Sequence, residues 1–504
     1  MTDHLPLLLV VVPLIAAPTC LVLGNRKLAY FLALVVSWFA FVNSLYLLAY
    51  VTQQGSFRYN IGNWAPPYGI EFSVDPLNAF VAMFVSAMAA IVLSYAPRLV
   101  ASEIPESKQH YFYSMFLVCL TGLLGITLTG DLFNVFVFLE ISSLSTYVLI
   151  SLGKSRRSAL ASLQYLFIGT IGASFFLIGV GLLYQVTGTL NMLDVASRLK
   201  ELATVDADGE LTLASTRTLR VALAFMTVGL AIKMAVFPVH QWLPNAYTYA
   251  PNVVTCFLAA TASKVSVYML IRLICSVFTL EFSLDLLPMR NELMLLSLFG
   301  VFSASIVAIF QSNVKKILAY SSVAQLGYMI LGISLVSASG LSGAIVHMFN
   351  HALIKGALFM VVGCLALRLG SVQLEDWRGA GKVMPWSSLA WVVAGLGLIG
   401  VPLTAGFVSK WMLLMAFIEG QHWVLAGAML VSSMLAVLYV WRVVEVLYFG
   451  EPSEKVLATK EAPLSMLFPV WLLVLLIVVF GIWTDFSAVV ANQAADLLLR
   501  GSIR

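Results

Sequence analysis

Hydrophobic runs of roughly twenty residues recur along the whole chain, separated by short polar connections. A helix needs about 20 apolar residues to cross the hydrocarbon core of a bilayer. The pattern therefore predicts about fourteen spans, centred near residues 14, 39, 86, 120, 141, 172, 227, 265, 300, 326, 355, 402, 435 and 474. No polar segment is long enough for a separate domain. The longest, Asn191 to Arg220, is expected to be a loop holding one short amphipathic helix around Leu193–Leu202. The first run, Leu5–Leu23, is preceded only by Asp3 and His4 and contains Pro13 and Pro18. Without a basic leader it reads as a retained helix rather than a signal peptide.

Two runs carry breakers at mid-length. The seventh contains Lys233-Met-Ala-Val-Phe-Pro238-Val-His240, and the twelfth contains Gly400-Val-Pro402-Leu-Thr-Ala-Gly406 before Lys410. Proline lacks a backbone donor and clashes with the preceding turn, so each helix is expected to break at Pro238 and at Pro402. A five-span offset between the breaks suggests two related units, spans four to eight and nine to thirteen. A unit with an odd number of spans inserts inverted relative to its partner. The expected class is an all-α polytopic membrane protein forming one transmembrane domain, 1–504. Within it, 1–109 holds the first three helices, 110–280 and 290–450 the two inverted units, and 451–504 the last helix and a C-terminal tail. Paired broken helices point to a transport site near the midplane.

Composition agrees with that class. The 504 residues are 61% hydrophobic and 10% charged, against about 45–50% and about 25% in soluble domains. The net charge of +4 is small and the basic residues sit mostly in short loops, so nothing supports nucleic-acid binding. One set of alternate loops holds Arg26/Lys27, Arg98/Lys108, Lys154/Arg156/Arg157, Lys315/Lys316, Arg368/Arg378/Lys382 and Lys455/Lys460. The opposite set holds Arg58, Arg290 and a mixed-sign loop where Lys200 and Arg217 face Glu201, Asp206, Asp208 and Glu210. The positive-inside rule makes the first set cytoplasmic and puts both termini outside. The five cysteines are scattered through apolar runs without C-x-x-C spacing. They read as buried hydrophobes, and no cofactor, metal or redox centre is expected.

Charge inside the apolar runs changes the picture most. Glu140, Lys233, Lys264 and Lys410 each lie within long hydrophobic stretches, where a charge costs about 2.5–3.5 kcal/mol on insertion scales. Glu140 reads either as a titratable partner for a buried lysine or as half of a structural ion pair. Opposite charges about 4 Å apart at an effective dielectric near 20 attract by roughly 4 kcal/mol, enough to decide whether an amine keeps its proton. Lys264 has small and hydroxyl neighbours, which suit a hydrated or tightly packed face, whereas Lys410 lies nearer a helix end, where snorkelling competes. Asp131 reads as a helix cap. His347, His351 and Lys355 recur every four residues on one stripe. They read as a proton relay, with a hydrogen-bond ladder as the alternative; a metal site would lack further ligands. His240 either gates access beside Pro238 or satisfies a freed carbonyl.

Four motifs carry a resemblance: Gly130–Glu140, Lys233–Tyr247, Ala319–Tyr328 and His347–Lys355. Together they resemble the antiporter-like subunits shared by respiratory complex I, membrane-bound hydrogenases and Mrp-type cation/proton antiporters. The resemblance implies fourteen helices with two inverted five-helix units. It also implies a hydrated lateral axis through Glu140, Lys233, Lys264, the histidines and Lys410, in which Glu140 and Lys233 form a switching pair. The run Thr129–Asn134, the chain length and a lysine at 410 look most like the D subunit of the Mrp antiporters, and the chain stops soon after its last span. The implied function is proton translocation within a multisubunit Na+/H+ antiporter. The alternative is the proton-pumping arm of an NADH:quinone oxidoreductase or hydrogenase. Implied partners are other membrane subunits, protons, Na+ and the lipid bilayer, in a bacterial or archaeal-type cell membrane.

Overall fold

The computed structural model describes residues 4–205, 211–213, 216–278, 283 and 289–503. Asp3 before the first span and Asp206, Asp208 and Glu210 of the mixed-sign loop lie outside the described residues. Helix α1 (Leu5–Leu23) keeps both of its internal prolines, and α2 (Arg26–Gln54) runs back beside it. A hairpin of β1 (Phe57–Asn60) and β2 (Glu71–Val74) follows. It leads into α3 (Pro76–Tyr95) and the short α4 (Pro97–Glu103). Next come α5 (Gln109–Leu128), α6 (Leu132–Ser151) and α7 (Arg156–Thr187). The amphipathic α8 (Met192–Leu202) matches the expected loop helix and leads to a small hairpin, β3 (Ala203–Val205) and β4 (Leu211–Leu213).

Helix α9 (Thr216–Met234) is followed by seven non-helical residues and the short α10 (Trp242–Tyr249). One long span follows, α11 (Asn252–Ala260) with α12 (Ala262–Arg272), kinked at Thr261 and ending in a π-helical turn, Leu273–Val277. The remainder is α13 (Met289–Ile309), α14 (Val314–Ser334), α15 (Ala338–Leu369), the short α16 (Ala380–Val383), α17 (Pro385–Ile399) and α18 (Ala405–Glu419). The chain finishes with α19 (Trp423–Phe449), the short α20 (Glu454–Leu457), α21 (Leu464–Ile482) and α22 (Asp485–Ile503). Among the described residues twelve helices are long and apolar enough to cross a membrane. The number is thirteen if a pair bent by 109°, Glu375–Val383 with Pro385–Ile399, counts as one span.

Local chemistry explains where elements begin and end. Asp75 caps α3 in a reciprocal box with Asn78, and Pro76 takes the first-turn position where a missing N–H costs nothing. Asp131 accepts from the Asn134 amide at 2.7 Å and is a cap, as its position suggested. Gly400 closes α17 at φ +92°, a left-handed conformation that glycine adopts without strain.

One sequence reading is corrected. Lys315 is not a solvated loop charge: it lies on the first turn of α14, 2% exposed. Its neighbour Lys316 is half-buried. The region after the last span is the nineteen-residue α22, whose Phe486 packs with Phe80, Phe349 and Phe480.

The long α15 is the hub, touching α14, α18, α11, α17, α21 and α22. Outward faces are apolar, as at Phe31, Phe167 and Phe299, which fits a lipid surround. Helices α7 and α9 meet through Gly172 and Gly229, where an added Cβ on Gly229 would stand 2.6 Å from the Gly172 carbonyl. Small residues at such seams let backbones approach closely. Gly229→Ala should therefore lower stability by about 1–3 kcal/mol through overpacking. Gly181→Ala, which meets open space, should not. Thermal unfolding of the two variants in detergent checks the contrast.

Candidate functional site

Buried charge dictates the geometry of the interior. Lys233, on the last turn of α9, points at α6: its Nζ lies 3.3 Å from Glu140 Oε1 and donates to Ser143 Oγ at 2.7 Å. The carboxylate side chain is 22% exposed and the lysine 4%. The pair thus sits at the flank of the bundle with the amine inward. At 3.3 Å and an effective dielectric near 20 the attraction is about 5 kcal/mol. Beyond Lys233 a cavity of about 20 Å³, lined by Ser142, Ser143, Thr146 and Ser266, separates it from α12. That is room for about one water, with hydroxyls around it.

Three of the other buried amines, Lys264, Lys315 and Lys410, use a different partner, the carbonyls released where helices stop. Lys264 is fully buried and donates to the Ala259 carbonyl, freed by the kink at Thr261, with Ser263 Oγ at 3.4 Å. Lys410 donates to the Leu398 and Ile399 carbonyls at the end of α17, 3.2 and 2.8 Å away, and to Ser433 Oγ. Its Nζ also lies 5.1 Å from the Tyr328 ring centre. Lys315 donates to the Ala250 carbonyl at the end of α10 (2.7 Å). Helix C-termini carry partial negative charge, so an ammonium there is stabilised twice, by hydrogen bond and by dipole. Lys355 donates to the Leu318 carbonyl on α14 at 2.7 Å and to Ser321 Oγ. Lys410 is turned inward at 7% exposure, which removes the snorkelling alternative.

The histidine stripe is real but divided. His347 Nε2 donates to Gln325 Oε1 at 3.0 Å, leaving Nδ1 to accept from Ser409 Oγ at 2.9 Å. Its ring stacks on His351 at 5.9 Å between centroids. Neither ring nitrogen of His351 has a hydrogen-bond partner among the described residues. No cluster of three or more possible metal ligands occurs among the described residues. His240 stacks on Phe237 and meets the Tyr320 ring edge-on, half-buried beside the exposed Pro238. Pro402 is likewise exposed, in the gap between α17 and α18. No direct hydrogen bond joins Lys233 to Lys264, or Lys264 to His351, among the described residues.

Several polar groups escaped the sequence reading. Ser143, Gln325, Ser409 and Tyr328 look like ordinary helix residues until the fold brings them against charges. The buried ion pair of Arg272 and Asp75, with Nη2 2.5 Å from Oδ2, joins the end of α12 to the cap of α3. Arg272 lies two turns beyond Lys264 in an apolar run, a signal that was legible in principle. Its partner is 197 residues away in sequence, so no local pattern could have named it.

A helical bundle that crosses the membrane many times, with buried amines seated at helix ends, is of the ion-transport class. The chain matches the family described as NADH:quinone oxidoreductase/Mrp antiporter, TM, over residues 129–436, and belongs to that family. It is 39% identical over 500 residues to the N subunit of the NADH-quinone oxidoreductase of Desulforudis audaxviator, covering 96% of this chain and 97% of that one. It is 29% identical over 504 residues to the D subunit of the Na(+)/H(+) antiporter of Alkalihalophilus pseudofirmus, covering 98% of both chains. Among solved structures it resembles a chain of the archaeal membrane-bound sulfane sulfur reductase, with a TM-score of 0.89, 28% identity and 99% of both chains covered. It shares the fold of a chain of the Dietzia Mrp complex, with a TM-score of 0.88, 23% identity and coverage of 99% and 97%.

Removing one member of a buried ion pair strands the other charge, at about 3–5 kcal/mol, whereas an apolar replacement of both is tolerated. Asp75→Ala should therefore destabilise the chain by that amount, and Asp75→Leu with Arg272→Met should recover most of it. Thermal unfolding of the single and double variants reads the difference.

Proposed function

We propose that the chain is a proton-translocating membrane subunit of a multisubunit monovalent cation (Na+)/H+ antiporter, of the D type. In this reading α9 with α10, and α17 with α18, are single interrupted spans, which gives fourteen in all. The segments 110–280 and 290–450 form two inverted five-helix units. The loops rich in Lys and Arg face the cytoplasm of a bacterial or archaeal-type cell, and both termini lie outside. Protons move along Glu140, Lys233, Lys264, His351, His347 and Lys410, with Lys355 beside the histidines and His240 controlling access near Pro238.

The observation that carries the proposal is the Lys233–Glu140 contact at 3.3 Å. Lys233 has one carboxylate and one hydroxyl to hold its proton, so withdrawal of Glu140 removes most of the electrostatic support for the ammonium. The water-sized cavity between Lys233 and Ser266 supports a hydrated step toward Lys264. The two unpartnered nitrogens of His351 support a relay role there. Relatives named as subunits support companion membrane subunits, and the partly exposed flank at Glu140 is where one would act on the switch.

A second reading rests on the 39% identity to the N subunit of an NADH-quinone oxidoreductase, against 29% to the D subunit of an antiporter. Here the same proton path serves a redox-driven complex, and neighbouring subunits supply the electron chemistry. Copurification with flavin or iron–sulfur subunits favours it; Na+-dependent exchange without them favours the first.

Glu140→Ala or Lys233→Ala should abolish cation/proton exchange in everted vesicles while the subunits still assemble. Exchange at the wild-type rate in either variant would contradict the switch.

A further inference from the structure

Away from the amines, at the end of the bundle that bears the β1–β2 hairpin, lies a pit of about 530 Å³, within the size range of small-ligand sites. Its floor is the Arg272–Asp75 pair, with Tyr268 and Asn78 beside it. Arg272 is 8% exposed. Its Nε donates to Tyr268 Oη at 3.0 Å and its Nη2 to Asp75. Its Nη1 has no hydrogen-bond partner among the described residues. Arg58, from β1, and Lys200, from α8, complete the charged lining and are exposed.

The charge balance is one-sided. Three cations line the pit against one carboxylate, Asp75, which is already committed to Arg272 and to the α3 cap. The excess of two positive charges selects an anion. A guanidinium edge with an ammonium and a second guanidinium nearby is the donor set that phosphate oxygens take. The mouth is not wholly polar, however. Leu193 of α8 and Leu497 of α22, 39% and 41% exposed, flank it. Exposed leucines beside exposed basic residues on an amphipathic surface helix suit the headgroup level of a bilayer.

We propose that this pit binds the phosphate headgroup of an anionic phospholipid, with Arg58, Lys200 and the free edge of Arg272 on the phosphate and the acyl chains running past Leu193 and Leu497. The lipid thereby rests on the arginine that pairs with α3, on the helix that carries Lys264 two turns away.

The full-length chain, purified and delipidated, can be titrated with phosphatidylglycerol or phosphatidylcholine and the bound lipid counted by native mass spectrometry. One phosphatidylglycerol is expected to bind in preference to phosphatidylcholine. Arg58→Gln with Lys200→Gln, both at exposed positions, should weaken it roughly 30-fold, at about 1 kcal/mol per basic residue. Undiminished binding to the double variant would overturn the assignment. Displacement of the lipid by millimolar inorganic phosphate would also overturn it, since the site would then take free phosphate.

Discussion

An ammonium group in hydrocarbon persists only if the protein supplies the electrostatic partner that water would have supplied. That constraint organises the interior of this chain. It has three solutions here: a carboxylate for Lys233, released carbonyls for Lys264, Lys315 and Lys410, and a mid-helix carbonyl with a serine hydroxyl for Lys355. The helix ends and the lysines they hold are therefore one feature rather than two. A continuous helix would have consumed those carbonyls internally, and the amines would have had nothing to hold them.

These solutions differ in what can change. Carbonyl ends belong to the scaffold and hold their amines at fixed positions. The Lys233–Glu140 contact joins side chains from α9 and α6, so a small movement of either helix alters it. Gly400 illustrates how closely scaffold and amine are fitted. An added Cβ there would lie 2.8 Å from Lys410 Cδ, so the glycine that ends α17 also leaves the passage by which Lys410 reaches the end of that helix.

Much of the scaffold was legible in the sequence because each element rests on local chemistry. Apolar length marked most of the long helices, and the short polar side chain of Asp131 marked a cap. The burial of Lys233, Lys264 and Lys410 followed from their apolar neighbours. What could not be read depends on distant parts of the chain meeting. Lys315 resembled a loop charge because its buried partner, the Ala250 carbonyl, lies 65 residues away. Asp75 drew no reading at all, since its partner Arg272 reaches it from α12, 197 residues away. The helical C-terminal stretch was hidden by modest apolarity, which suits α22 packed on α15 and α3 rather than a span.

The central claim is that Glu140 keeps the proton on Lys233, and the proton itself is the direct observable. Nitrogen-15 NMR of lysine Nζ near neutral pH, assigned through Lys233→Ala, distinguishes ammonium from amine. Lys233 should be an ammonium in the native chain and a neutral amine in Glu140→Gln. An ammonium signal unchanged in that variant would contradict the account.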